Sequence, residues 1–262
     1  MTDVSIILFG MPRSIDPFLE SITKTLLNPM EKKKLQYRVV GQLNSPVWVS
    51  NPRSKEEGQI DRPEKLSAEF PEVVIERQDE SSIVEDFHRL SAFGDIWRDN
   101  FRSLSNLLHQ QNSLKIATRM ALATPASHFI FLRPDLLYHD DFSEFLDRFL
   151  RKETKSVALP GWQTCSGLND RFAFVVGREA ASAYGLRLHD ADRFVLRRNR
   201  PLHSERLLAF SLGTKRIPVQ FIPHRASRCR LDGTFRLENF ALKLRVELRT
   251  QLRLRLYPSS FA

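Results

Sequence analysis

The sequence predicts an α/β fold, one domain with a mostly parallel central sheet flanked by helices. Three observations carry this expectation. Short apolar runs alternate with segments of helical periodicity from the first residues onward. The runs end in polar loops, as at Gly10 to Ser14, where a parallel sheet gathers its ligand-binding connections. Finally, 262 residues, 42% of them hydrophobic, suffice for one large core and leave no room for two large independent domains.

The elements follow in order. Residues 4–9 form an apolar strand closed by Gly10, and Ile15, Phe18, Leu19, Ile22, Leu26 and Leu27 then recur on one helical face. Residues 37–43 and 72–77 read as further strands, with Pro46, Pro52, Gly58 and Pro63 marking a long loop between them. From 93 to 123, Trp97, Phe101, Leu104, Leu108, Ile116 and Met120 predict one or two amphipathic helices, broken near Asn112 and Ser113. An apolar strand from His128 ends in Arg133-Pro134-Asp135. Residues 143–149 predict a helix, 156–159 and 171–176 strands, 179–184 a helix stopped by Gly185, and 203–212 a last helix. The tail 242–256 has a period of two that favours strand and a Leu and Arg content that favours helix. The expected boundary places the globular domain at 1–224 and a basic extension at 225–262.

Composition excludes several classes. The apolar content excludes disorder over most of the chain, and no run approaches the roughly 18–20 apolar residues of a membrane span. Cys165 and Cys229 stand apart without CxxC or ligand spacing, so a disulfide framework and a structural zinc are not expected. A cytoplasmic protein fits best. The net charge of +9 suggests phosphate partners, but from Arg225 onward nine basic residues face three acidic ones, so most of the excess lies in the extension. No recognition helix, RNA-binding sheet or zinc finger accompanies it, and nucleic acid is not an expected partner. The basic extension would suit contact with an anionic membrane surface.

Three polar groups invite chemistry. Asp135, at a strand end, could hold a divalent cation or a ribose hydroxyl, or pair with Arg133. Asn169, Asp170 and Arg171 offer an amide, a carboxylate and a guanidinium before an apolar strand, or merely cap a turn. Glu205 stands in the first turn of a helix, where the dipole favours a carboxylate and where a general base could be positioned.

Taken in order, Phe129-Ile-Phe-Leu-Arg133-Pro-Asp135-Leu-Leu-Tyr138, Pro160-Gly-Trp162, Gly167-Leu-Asn169-Asp170-Arg171-Phe172-Ala173, Tyr184-Gly-Leu-Arg187 and His203-Ser-Glu205-Arg-Leu-Leu208 resemble bacterial and viral GT-A type nucleotide-sugar glycosyltransferases. The resemblance implies transfer of a sugar from a nucleotide-diphosphate donor to a hydroxyl of a saccharide or lipid-linked saccharide, in cell-surface polysaccharide synthesis. It implies donor contacts at Arg13, Arg133 and Asp135, with Asp135 as the remaining acid of an Asp-x-Asp metal motif that would hold Mn²⁺ or Mg²⁺. Arg133 replaces the first acid of that motif and could itself neutralise the diphosphate. Glu205 is implied as the base that deprotonates the acceptor, with Asp170 as the competing candidate. Trp162, Asn169, Arg171 and His203 are implied around the acceptor. Competing readings are a basic nucleic-acid or anionic-surface module and a sulfotransferase, whose phosphate loop Gly10 to Ser14 matches only faintly.

Overall fold

The computed structural model describes residues 4–51, 56–60, 63–164, 167–236 and 238–241. The tail 242–256, with its open choice of helix or strand and its expected membrane contact, lies outside the described residues.

Strand β1 (Val4–Gly10) is followed by α1 (Ile15–Ile22), one π-helical turn over Thr23–Leu27 and α2 (Asn28–Lys32). Strand β2 (Tyr37–Ser45) leads into a hairpin of β3 (Val49–Asn51) and β4 (Glu56–Gly58), then α3 (Glu64–Glu69), β5 (Val73–Arg77) and α4 (Val84–Ser91). The hairpin and α3 occupy the stretch that its prolines and charges mark as loop. Helix α5 (Arg102–Leu122) crosses the molecule to β6 (His128–Leu132), β7 (Leu136–Tyr138), α6 (Ser143–Leu150), β8 (Ser156–Pro160) and β9 (Ala173–Val176). Helices α7 (Arg178–Gly185), α8 (Ala191–Arg198) and α9 (Ser204–Thr214), then β10 (Val219–Ile222) and β11 (Ala226–Arg228), complete the chain.

Seven strands form one sheet in the order β10-β8-β9-β6-β1-β2-β5, with β9 antiparallel to both neighbours and the other pairs parallel. This is the mostly parallel, helix-flanked sheet that the alternating pattern predicts. Because successive strand side chains point to opposite faces, Ile6 and Leu8 of β1 join one core with Phe18, Ile22, Phe142, Phe145 and Phe174. Ile7 and Phe9 join the other with Leu114, Ala117, Tyr184 and Leu208. Burial on both faces explains why β1 and β6 read as unbroken apolar runs.

Helix α5 departs from expectation. It runs unbroken through Asn112 and Ser113, because the buried Ser113 hydroxyl donates to the Gln42 carbonyl and accepts the Gly10 N–H at 2.7 Å, tying the helix to the ends of β1 and β2. The apolar spacing that begins at Phe93 precedes the helix rather than belonging to it. There the Asp95 carboxylate accepts from the N–H groups of Trp97, Arg98, Asp99 and Phe101, and positive φ at Arg98, Asn100 and Phe101 winds the chain into a turn.

Candidate functional site

Strand order fixes where a ligand would sit. From β1 the chain moves to β2 and β5 on one side, and β6 then returns to pair with the other side of β1. At such a switch point the connections leave in opposite directions and open a crevice outside the carboxyl ends of the strands. Leu8 pairs with Leu132, so the Gly10–Ser14 loop and Arg133 emerge side by side at that edge. Gly10 makes the exit possible: its φ of +95° lies in the left-handed region open to glycine.

On the β2 side the crevice widens into a cavity of about 310 Å³ lined by Met11, Arg13, Trp48, Asn51, Gln78 and Arg102, among others. Arg13 also lines a second cavity of about 240 Å³, against the start of α1 and the turn at Leu231–Gly233. Its guanidinium bonds Glu56 at 3.0 Å, and Arg230 bonds the same carboxylate oxygen from the other side. Glu56, only 5% exposed, is thus a carboxylate clamped between two cations.

On the β6 side, Arg133 and Asp135 form a bidentate pair, Nε to Oδ1 at 2.9 Å and Nη2 to Oδ2 at 2.6 Å. Burial opposes the charge on Asp135, but the adjacent Arg133, with Arg13 and Arg228 beyond it, holds the carboxyl below the usual carboxylate range. The donor set does not fit a divalent cation. Both Asp135 oxygens are bonded to a guanidinium, and among the described residues no group of three His, Cys, Asp or Glu side chains converges.

The third part is the loop between β8 and β9. Asn169 uses both ends of its amide to shape that loop, donating to the Trp162 carbonyl at 2.6 Å and accepting the Arg171 N–H at 3.0 Å. Gly167 lies so close to α9 that a Cβ would stand 2.3 Å from the Glu205 carbonyl, and Leu168 donates to that carbonyl at 3.0 Å. The loop is therefore docked on the first turn of α9, which carries Ser204 and Glu205. Asp170 accepts from the fully buried Arg187 at 3.1 Å and from the Ser204 hydroxyl. Burial opposes its charge, but Arg187 foremost, then Arg133, holds the carboxyl below its ordinary value. His203 precedes α9 at the N-cap position, its ring stacked on Trp97 rather than capping the helix.

Trp162 is only 1% exposed and donates to the His224 carbonyl at 2.9 Å. The indole face offered to a sugar by the sequence carries the Arg171 guanidinium, 4.7 Å from the ring centroid. Arg171 and Arg228 in turn share Glu238. Across the edge, six guanidiniums (Arg13, Arg133, Arg171, Arg187, Arg228, Arg230) bond four carboxylates (Glu56, Asp135, Asp170, Glu238), a surplus of two positive charges before Glu205 is counted.

The structure thus joins Arg13, Arg133, Asp135, Asp170, Arg171 and Glu205 in one charge network, since each feels the field of at least one other. It adds Glu56, Arg187, Arg228, Arg230 and Glu238, which sequence reasoning missed. Arg187 was visible as a cation after a helical stop, whereas Glu56 looked like loop charge and Arg228 and Arg230 like part of a basic extension. Beyond Arg225 the chain in fact returns to this edge: β11 pairs antiparallel with β7, Glu238 bonds Arg171 and Arg228, and Phe240 packs on Trp162.

No family model matches the chain, and no curated protein matches it. Solved structures similar to it include mouse xyloside xylosyltransferase 1, in its apo form, at 13% identity over 84% of each chain, with a TM-score of 0.36. Another is galactosyltransferase LgtC in complex with donor and acceptor sugar analogs, at 9% identity over 84% of this chain and 73% of that one, TM-score 0.43. A Desulfovibrio desulfuricans G20 protein described as a nucleotide-diphospho-sugar transferase aligns at 12% identity over 85% of this chain and 80% of that one, TM-score 0.38. At these scores no residue's role is carried across, and the functional reading rests on the geometry of this chain.

Proposed function

We propose that the chain is a GT-A type glycosyltransferase that moves a sugar from a nucleoside-diphosphate donor to a hydroxyl of a saccharide or lipid-linked saccharide acceptor, in cell-surface polysaccharide synthesis. The observation that carries this reading is the crevice at the switch point, with an open cavity beside Arg13 on one flank and an arginine-rich, buried charge network on the other. The cavity suits a nucleoside, with Trp48 as an apolar wall and Asn51 and Gln78 as amide partners for a base. The diphosphate then lies toward Arg13 and Arg133, where the surplus positive charge meets the charge that develops on the leaving group.

Glu205 is assigned as the general base. It takes the acceptor proton while the acceptor oxygen forms a bond to the anomeric carbon and the bond from that carbon to the diphosphate oxygen breaks. Asp170 is the weaker candidate, because a carboxylate stabilised by Arg187 and Ser204 has little affinity for a proton. Its role is to hold α9 and the loop before β9 together. Arg171, in the field of Arg133 and of Glu205, stands between the diphosphate and the acceptor side, where His203 lies.

Thermal unfolding against UDP, GDP, dTDP, CDP and CMP, with Mn²⁺, Mg²⁺ or EDTA, tests the reading without an acceptor. One nucleoside diphosphate is expected to raise the Tm, in EDTA as well as with metal. No shift with any nucleotide would retire the reading, and a shift lost in EDTA would return Asp135 to the role of cation ligand.

A further inference from the structure

The segment after β11 folds back over the carboxyl edge. Ser14 donates its hydroxyl to the Arg230 carbonyl, Cys229 donates its N–H to the Asp135 carbonyl at 2.9 Å, and Arg236 donates its N–H to the Arg228 carbonyl at 3.0 Å. This hairpin delivers Glu238 to the middle of the charge network. One oxygen of Glu238 meets Arg228 Nε at 2.9 Å and Arg171 Nη2 at 3.5 Å, and the side chain is 1% exposed. The guanidinium of Arg171, itself only 10% exposed, lies on Trp162, and its Nη1 is a buried donor without a hydrogen-bond partner.

Arg171 Nη2 donates to Gln163 Oε1 at 2.7 Å and reaches the carboxylate only at 3.5 Å, so Glu238 leaves the Nη1 donor of this arginine unmet. Arg133 and Arg228 also repel Arg171, which raises the negative charge the cage can hold. A phosphate brings more acceptor oxygens and more charge to the same volume, in the planar fork geometry that arginine recognises. Besides its two arginines, Glu238 is held by a side-chain hydrogen bond with Gln163, and Phe240 nearby packs against Trp162, His139 and Arg225.

We infer that Glu238 is an intramolecular occupant of a phosphate site formed by Arg171 and Arg228, and that a phosphate or diphosphate anion takes the cage by displacing it. The proposal rests on the transferase reading only for the carrier of that anion, a nucleoside diphosphate. The displaced carboxylate swings out with 238–241, so the unliganded site is held in a self-occupied state.

The test is calorimetric titration of the full chain with inorganic pyrophosphate at constant ionic strength, for the wild type, Glu238→Gln and Glu238→Gln combined with Arg228→Met. Glu238→Gln is expected to bind about tenfold more tightly than the wild type, the scale of one charge-assisted interaction, and the double variant to lose that gain. A folded Glu238→Gln protein with unchanged or weaker affinity overturns the proposal, as does the absence of binding by either protein. Should Glu238→Gln fail to fold, the wild type decides: pyrophosphate is expected to speed backbone hydrogen exchange at 238–241, and unchanged exchange at saturation overturns the displacement. Orthophosphate, UDP, GDP, dTDP and CDP titrated alongside separate the two readings. Nucleotides that bind no more tightly than pyrophosphate retire the nucleotide donor and leave the cage standing. Nucleotide binding indifferent to Glu238→Gln retires the cage and leaves the transferase standing.

Discussion

The two flanks of the switch point are built from the same residue types, with ion pairs buried to a similar degree, and differ in what lies beside those pairs. On the β2 flank, Arg13 and Arg230 grip Glu56 at the rim of an open cavity, and Trp48 stands 53% exposed beside it. On the β6 flank, Arg187–Asp170 is buried where the loop before β9 docks on the first turn of α9, and Arg133–Asp135 lies beside it with Arg133 16% exposed. The contrast separates tasks: charges in the closed flank hold backbone segments in register, whereas the cavity beside the open flank, with Trp48 at its wall, is open to a ligand. Substitutions in the closed flank should therefore act first on stability, and those in the open flank on binding.

The largest effect is expected from Arg187→Met. It leaves Asp170 buried without its cation, and breaking a buried pair costs about 3–5 kcal/mol, to be read in urea unfolding at neutral pH. The same pair sets a pH dependence. The Asp170 carboxyl is depressed in the folded state, so its contribution is fully present above the unfolded carboxylate value of about 3.9 and is lost as pH falls through the lower folded value. Wild-type stability should thus fall on acidification below about pH 4, and Arg187→Met should flatten that part of the profile. An unchanged slope would mean that the pair does not control it. Asp135→Asn comes next, at about 3 kcal/mol, because Arg133 keeps some solvent contact when its partner is neutralised.

Glu205→Gln crosses from one flank's behaviour to the other's. Its side chain is half-buried on a helix whose carbonyl, not its carboxylate, supports the loop. The substitution should leave nucleotide binding intact and lower kcat by about a hundredfold, within the range of a lost general base. Equal kcat in the variant would move the base elsewhere, and a parallel loss of binding would make Glu205 a donor contact.

The legibility of these flanks from sequence differed as well. Strands β1 and β6 and the helices packed on them were readable because two-sided burial leaves unbroken apolar runs and one-sided packing leaves helical periodicity. The continuity of α5 was not, because Ser113 looks like a helix breaker until the Gln42 carbonyl it bonds, 71 residues away in sequence, is known. In the site, Arg13, Arg133, Asp135, Asp170 and Arg171 were legible as charges abutting apolar runs. Their partners Glu56, Arg228, Arg230 and Glu238 were not, since nothing local distinguishes a clamped loop carboxylate or an edge arginine from a solvated one. Long-range ion pairs leave no periodicity to read.

Trp48 gives the smallest effect and the sharpest separation of the flanks. It follows β2 in a stretch that reads as loop, yet it lines the open cavity with more than half of its surface in solvent. An exposed aromatic contributes little to folding, so Trp48→Ala should change stability by less than about 0.5 kcal/mol. If the indole stacks on a base, the variant should lose about 1 kcal/mol of nucleoside-diphosphate binding, roughly fivefold in Kd. Its affinity for pyrophosphate, which has no base, should stay unchanged. A loss shared by both ligands would place Trp48 in the scaffold of the arginine network, and the open flank would then owe its shape, rather than its ligand, to that residue.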